Sequence, residues 1–179
     1  MSMPYYSIGH SNRPLVEFVA LLDDASIDVI IDVRAFPRSR SNPQYNIDTL
    51  PRSLGAHRIT YEHWPSLGGR RHRQDDVSDD CNALWHNRSF HNYADYALSD
   101  GFQAALEALI ERGHSSRLAV MCSEAVWWRC HRRIITDYLI LRGHIVHHLL
   151  DVGRTELAKP TAGAVYTPEG GVIYPLRQG

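Results

Sequence analysis

The 179-residue chain has a globular composition, 44% hydrophobic and 22% charged, with a formal net charge of −1 at pH 7. That balance excludes a bulk electrostatic footprint, so any affinity for anions must come from local clustering. No apolar run reaches the roughly 20 residues a membrane-spanning helix needs, which excludes a membrane function.

The size fits one domain spanning residues 1–179. Such a domain is large enough to bury most of its unfolded surface without staples. Three cysteines, Cys81, Cys122 and Cys130, are an odd number without framework spacing. The start, Met1-Ser2-Met3-Pro4-Tyr5, lacks a charged segment followed by a long apolar one. Both features point to a reducing cytoplasm, with the thiols free or metal-bound. Lys159 is the only lysine. A rigid guanidinium fork suits phosphate or carboxylate, but a genome rich in G and C gives the same arginine bias.

Tyr5-Tyr6-Ser7-Ile8 reads as a first strand closed by Gly9-His10-Ser11-Asn12. Pro14, behind Ser11 or Asn12 as cap, opens a helix to about Asp24, with Leu15, Phe18, Val19 and Leu22 at the helical period. Ile27 to Val33 reads as a buried parallel strand whose end presents Asp32 and Arg34. Ala35 to Asn46 has loop composition and is long for a simple connection, a length typical of functional loops. A short helix near Asp48 and a third strand at Ile59–His63 follow. Residues 64–92 read as an irregular lid or insertion, basic at Arg70-Arg71-His72-Arg73 and acidic at Asp75-Asp76 and Asp79-Asp80.

Tyr93 to Tyr96, then Phe102, Ala105, Leu106, Leu109 and Ile110, restore the helical period up to Gly113, placed to stop the helix. Leu118 to Met121 forms the central strand. Ile134, Ile135, Tyr138 and Leu139 mark a helix ending at Arg142-Gly143, and Ile145 to Leu150 is a fifth strand. Ala164-Val165-Tyr166 and Val172-Ile173-Tyr174 flank Gly170-Gly171 as a C-terminal hairpin. The order implies a single α/β domain with a mostly parallel open sheet of about five strands and helices on both faces.

Chemistry concentrates after the central strand, where Met121 gives way to Cys122, Glu124, Trp127, Trp128, Arg129, Cys130, His131, Arg132 and Arg133. In a parallel sheet, His10, Asp32, Arg34, Cys122 and Glu124 emerge at one edge, where open α/β sheets bind ligands. Cys130, His131 and Arg132 begin the next helix with its positive dipole end at that edge.

Ile8-Gly9-His10-Ser11-Asn12, Asp32-Val33-Arg34 with Pro37 and Ser39, Asn42-Pro43, Leu67-Gly68-Gly69-Arg70, Tyr93-Ala94-Asp95-Tyr96, and Met121-Cys122-Ser123-Glu124 with Cys130-His131-Arg132 together resemble the domain of unknown function 488 family. These blocks run from the first strand to the last helix. The family name carries no activity. The resemblance implies that the blocks belong to one site, and some relatives bear a loose DNA-repair label.

Three chemistries fit the segment. In the first, Cys122 is a nucleophile acidified by loop amides, the helix terminus, Arg129 or His10. This looks like the strand-to-helix loops of rhodaneses and cysteine-dependent phosphatases. Glu124 inside the loop would repel a phosphate dianion, however, and the loop lacks glycine, which favours a less anionic substrate. In the second, Cys122, Cys130, His131 and His10 hold a metal, although their spacing matches no known zinc pattern. In the third, Arg34, Arg38, Arg40, Arg70, Arg71 and Arg73 grip a nucleic-acid backbone beside Phe36, Tyr45, Trp64, Trp127 and Trp128.

The reading is an enzyme whose cleft binds an anionic small molecule, a nucleotide or nucleic acid, with no cofactor. Cys122 serves as nucleophile or ligand, Glu124 and His10 as an acid–base pair, and Asp32 as orienter of His10. Arg34, Arg129 and Arg132 clamp the anion, and Ser11, Arg70, Trp127, Trp128 and His131 contact the ligand. The alternatives are a non-catalytic nucleic-acid-binding module and a cysteine–histidine metal-site protein. Oligomeric state is not encoded legibly.

Overall fold

Each central strand alternates side chains between two apolar layers, and this alternation places every helix on one face or the other. In the computed structural model, which describes residues 3–176, the chain runs β1 (Tyr5–Gly9), α1 (Leu15–Asp24), β2 (Val29–Asp32), α2 (Leu50–Gly55) and β3 (Thr60–His63). It continues through α3 (Arg88–Tyr96), α4 (Asp100–Ser115), β4 (Leu118–Cys122), α5 (Arg132–Leu141), β5 (Val146–Asp151) and β6 (Arg154–Leu157). A small antiparallel hairpin, β7 (Val165–Tyr166) with β8 (Val172–Ile173), closes it. Residues 1–2 and 177–179, which the expected domain includes, lie outside the described residues.

The six-stranded sheet has the order β3-β2-β4-β1-β5-β6. All pairs among β1 to β5 are parallel, and β6 is an antiparallel edge. Tyr6, Ile8, Ile30, Ala119 and Met121 pack against Phe18, Leu21 and Leu22 of α1 and Leu50 and Leu54 of α2. The opposite face, with Val29, Ile31, Leu118, Val120 and Cys122, meets α3, α4 and α5 through Tyr93, Phe102, Leu106, Ile134 and Tyr138. This is the single α/β domain with helices on both faces that the periodicity implies.

Four local expectations are corrected. Pro14 is the N-cap of α1, without a side-chain cap; Ser11 instead takes a left-handed turn with φ of 48°. Gly113 does not stop a helix, since α4 runs to Ser115 and a Cβ on Gly113 would meet the Tyr5 ring at 2.4 Å. The stretch read as one helical run is two helices, because the Ser99 side chain accepts from Phe102 N and starts α4 afresh. The last residues of the expected insertion are helical, with Asn87 capping α3 by accepting from Ser89 N and Phe90 N. In addition, β6 was unforeseen: its Arg154-Thr155-Glu156-Leu157 is exposed throughout and lacks an apolar alternation.

Candidate active site

The topology opens a crevice at the carboxyl ends of β1 and β4. These strands are neighbours, yet β1 leads through α1 on one face to β2, and β4 leads through α5 on the other face to β5. The loops after them therefore diverge, the arrangement in which open α/β sheets bind ligands. Pairing continues past the strands, with His10 N donating to Cys122 O and Ser11 N to Ser123 O, both at 3.0 Å. Gly9 permits this closeness, because a Cβ there would lie 1.8 Å from the backbone oxygen of Glu124.

A cavity of about 800 Å³ occupies the crevice. His10, Ser11, Arg34, Cys122, Glu124 and His131 border it, with Phe36, Arg70, Phe90 and Arg129 farther out. Two polar clusters meet it from opposite faces of the sheet.

On the α1 side, Asp32 is fully buried and accepts from Arg34 Nε at 3.0 Å and Arg34 Nη2 at 2.8 Å, and from the Tyr61 hydroxyl. Beyond Asp32, the Arg34 guanidinium donates to Tyr45 O and to His10 Nε2 at 3.2 Å. His10 Nδ1 lies 2.8 Å from Ser11 O. A carbonyl only accepts, so Nδ1 carries the proton and Nε2 accepts from Arg34. Burial, helped by Arg34, lowers the imidazole to about 4, so it is neutral. Asp32 thus orients Arg34, not His10, and Arg34 spends its donors inside the protein.

On the α5 side, the Cys122 and Cys130 sulfurs are 2.9 Å apart. Arg132, 2% exposed, donates Nε to Cys122 Sγ at 3.0 Å and to Cys130 Sγ at 3.4 Å, Nη2 to Glu124 O at 2.6 Å and Nη1 to Ser7 Oγ at 3.1 Å. Cys130 Sγ also receives Arg132 N at 3.2 Å, and Cys122 Sγ receives Glu124 N at 3.3 Å. Burial pushes both thiols up. For Cys130, the Cys122 hydrogen bond and Arg132 outweigh burial and bring it down to about 6, whereas Cys122, sharing the same proton, is held well above its ordinary value. The two sulfurs thus share one proton beside the Arg132 guanidinium, and Cys122, the expected acidic thiol, is pushed up while Cys130 is brought down.

Behind Arg132, Ser7 hydrogen-bonds to His148 Nδ1, and the His148 ring, lowered to about 3 by burial and then by Arg132, stacks on Trp127 at 4.5 Å. Sequence reasoning missed Ser7 and His148. They face each other in the β1–β5 register, but nothing local marks them as partners. Trp127 is engaged there, donating to Glu156, and neither it nor the exposed Trp128 borders the cavity. His131 Nε2 donates to Val33 O at 2.8 Å, which leaves Nδ1 as the acceptor nitrogen beside Gly69 of the cavity wall. Burial lowers its pKa. The Glu124 carboxylate forms no hydrogen bond or ion pair among the described residues, so the expected Glu124–His10 pair is not assembled.

Most of the expected arginine groove is spoken for. Arg38 pairs with Asp48; Arg71 donates to Gly68 O and Pro65 O and covers Tyr96; Arg73 lies between Asp75 and Asp79. Arg70, against the Phe36 ring, and Arg129 are exposed at the cavity and form no ion pair among the described residues. No group of three or more metal-type ligands occurs among the described residues, so Cys122, Cys130, His131 and His10 are not gathered around one point. No helix among them is long and apolar enough to cross a membrane.

A family model described as "Domain of unknown function DUF488" matches residues 14–139. No curated protein and no solved structure matches the chain.

Proposed function

The chain belongs to the DUF488 family, and we propose that it is a thiolate-dependent enzyme whose cleft takes a small anionic ligand of nucleotide size. One observation carries the reading: the buried Arg132 guanidinium has no carboxylate partner among the described residues and touches two sulfurs. A buried charge without a counter-charge is costly, so the partner supported here is a thiolate at the cavity floor. The Cys130 thiolate bonds to an electrophilic centre of the ligand as the bond from that centre to its leaving group breaks, the leaving group departing with the electron pair. Arg70 and Arg129 hold the ligand's anionic group at the mouth, Phe36 and Phe90 offer aromatic faces, and His131 Nδ1 takes or returns a proton.

Ligand size follows from cavity size, since about 800 Å³ falls in the range of small-molecule sites. The engaged arginines favour this over a nucleic-acid groove. The test is the alkylation rate of Cys130 against pH. The expected result is an apparent pKa near 6, protection by a nucleoside monophosphate, and loss of protection in Arg70→Ala and Arg129→Ala. An ordinary thiol pKa, or equal protection by the uncharged nucleoside, defeats the reading.

A further inference from the structure

The two sulfurs are free thiols in contact, placed by different elements: Cys122 ends β4, and Cys130 precedes α5 by two residues. At 2.9 Å they need less than about 1 Å of approach to reach the roughly 2.05 Å of a disulfide bond. Both border the cavity, whose mouth carries Arg70 and Arg129. We propose that Cys122 and Cys130 form a redox-active dithiol that reduces an anionic low-molecular-weight disulfide entering the cavity. This goes beyond the nucleotide reading, needing the thiolate and the cavity but no nucleotide.

The Cys130 thiolate attacks one sulfur of the incoming disulfide. The ligand S–S bond breaks, one thiolate leaves, and a mixed disulfide forms on Cys130. Cys130 no longer carries a charge, and Arg132, whose Nε is nearer Cys122 at 3.0 Å than Cys130 at 3.4 Å, transfers its pairing to Cys122. Cys122 gives up its proton and attacks Cys130 Sγ. The mixed disulfide breaks, and the second half of the ligand leaves as a thiol. Two protein thiols have then lost two electrons, and the ligand disulfide has become one thiol and one thiolate. Closure removes the counter-charge of Arg132, which works against oxidation, so the exchange runs toward the protein disulfide only with the ligand disulfide in excess.

Reduced full-length protein is treated with oxidised glutathione, alkylated and mapped by mass spectrometry. The number of alkylatable thiols is expected to fall from three to one, with a Cys122–Cys130 linkage, Cys81 free and no retained glutathione. Cys122→Ser, with Cys122→Ala should the serine variant fold poorly, is expected to retain one glutathione on Cys130. Three thiols left in the wild type, a lasting glutathione adduct there, or a bond through Cys81 overturns the proposal. Normal low-pH alkylation of Cys130 without closure would defeat the dithiol while leaving the thiolate reading standing.

Discussion

Arg132 shows how one residue sets the chemistry of two others. Read in sequence, it is the second arginine of a dense segment and part of an anion clamp; folded, it lies beneath the sulfurs and faces no carboxylate among the described residues. The turn from Cys130 into α5 creates this, and the pairing needs Cys122 from another element, so the dense segment was legible while its charge partner was not. The thiolate has a pH consequence. Because the folded Cys130 pKa lies below the free-thiol value of 9.0, its stabilisation is fully present above that value and fades as pH falls through about 6. His10 and His148, held neutral with values of about 4 and 3, lose stability in the same direction below 6.5. The melting temperature should therefore fall as pH is lowered. In Cys130→Ser the part above about pH 6 should vanish while the histidine part persists. By urea denaturation at alkaline pH, Cys122→Ser with Cys130→Ser is expected to lose about 3–5 kcal/mol, since the double variant strands a buried charge, and Arg132→Met added to it should recover part of that loss. A loss under about 1 kcal/mol in the double variant would mean that Arg132 is not paired with a thiolate.

At the scale of elements, glycines set how closely the site's walls approach. The sequence places Gly9 at the end of the first strand as a turn residue, but its partner, the Glu124 carbonyl, is visible only once β1 and β4 are adjacent. The same blindness explains Gly113, read as a helix stop when its neighbour is the Tyr5 ring, fixed by its hydroxyl bond to Ile110 O. Gly9→Ala must part β1 from the loop carrying Glu124, whose amide and carbonyl hold Cys122 and Arg132. It is expected to cost at least about 1–3 kcal/mol and to return Cys130 alkylation toward an ordinary thiol pKa. Gly55→Ala in α2, with no atom within 4 Å of the added Cβ, is expected to stabilise by about 0.5–1 kcal/mol. If Gly9→Ala leaves the Cys130 titration unchanged, the β1–β4 approach does not set the thiolate.

For the whole molecule, parallel strands and two-sided helices were legible because β1, β2, β4 and β5 are apolar runs separated by helical periods. Strand order was not, because it depends on which helix crosses which face. The role of the irregular segment was also hidden, since its anchor is a single buried polar residue. Asn82, fully buried, donates to Asp95 Oδ1 at 2.7 Å and accepts from Tyr174 N at 3.0 Å, and Leu84 N donates to Tyr174 O. Tyr174 also donates its hydroxyl to Asp137 of α5 at 2.7 Å. The chain after β8 thus ties α5 to the segment that leads into Asn87, Ser89 and Phe90 of the cavity wall. Asn82→Ala would take one of its two acceptors from the Tyr174 amide, which also donates to Cys81 O at 3.0 Å, and would take a donor from Asp95, whose pKa burial already raises. Taking a hydrogen bond from the buried Asp95 carboxyl costs about 1–3 kcal/mol. The cysteines, held by β4 and Arg132, do not depend on this anchor. Asn82→Ala should therefore lower the melting temperature, speed hydrogen exchange over residues 81–90 and weaken protection of Cys130 by a nucleoside monophosphate, while the pH dependence of Cys130 alkylation stays as in the wild type. A shifted alkylation profile would show instead that the wall and the thiolate are one cooperative unit.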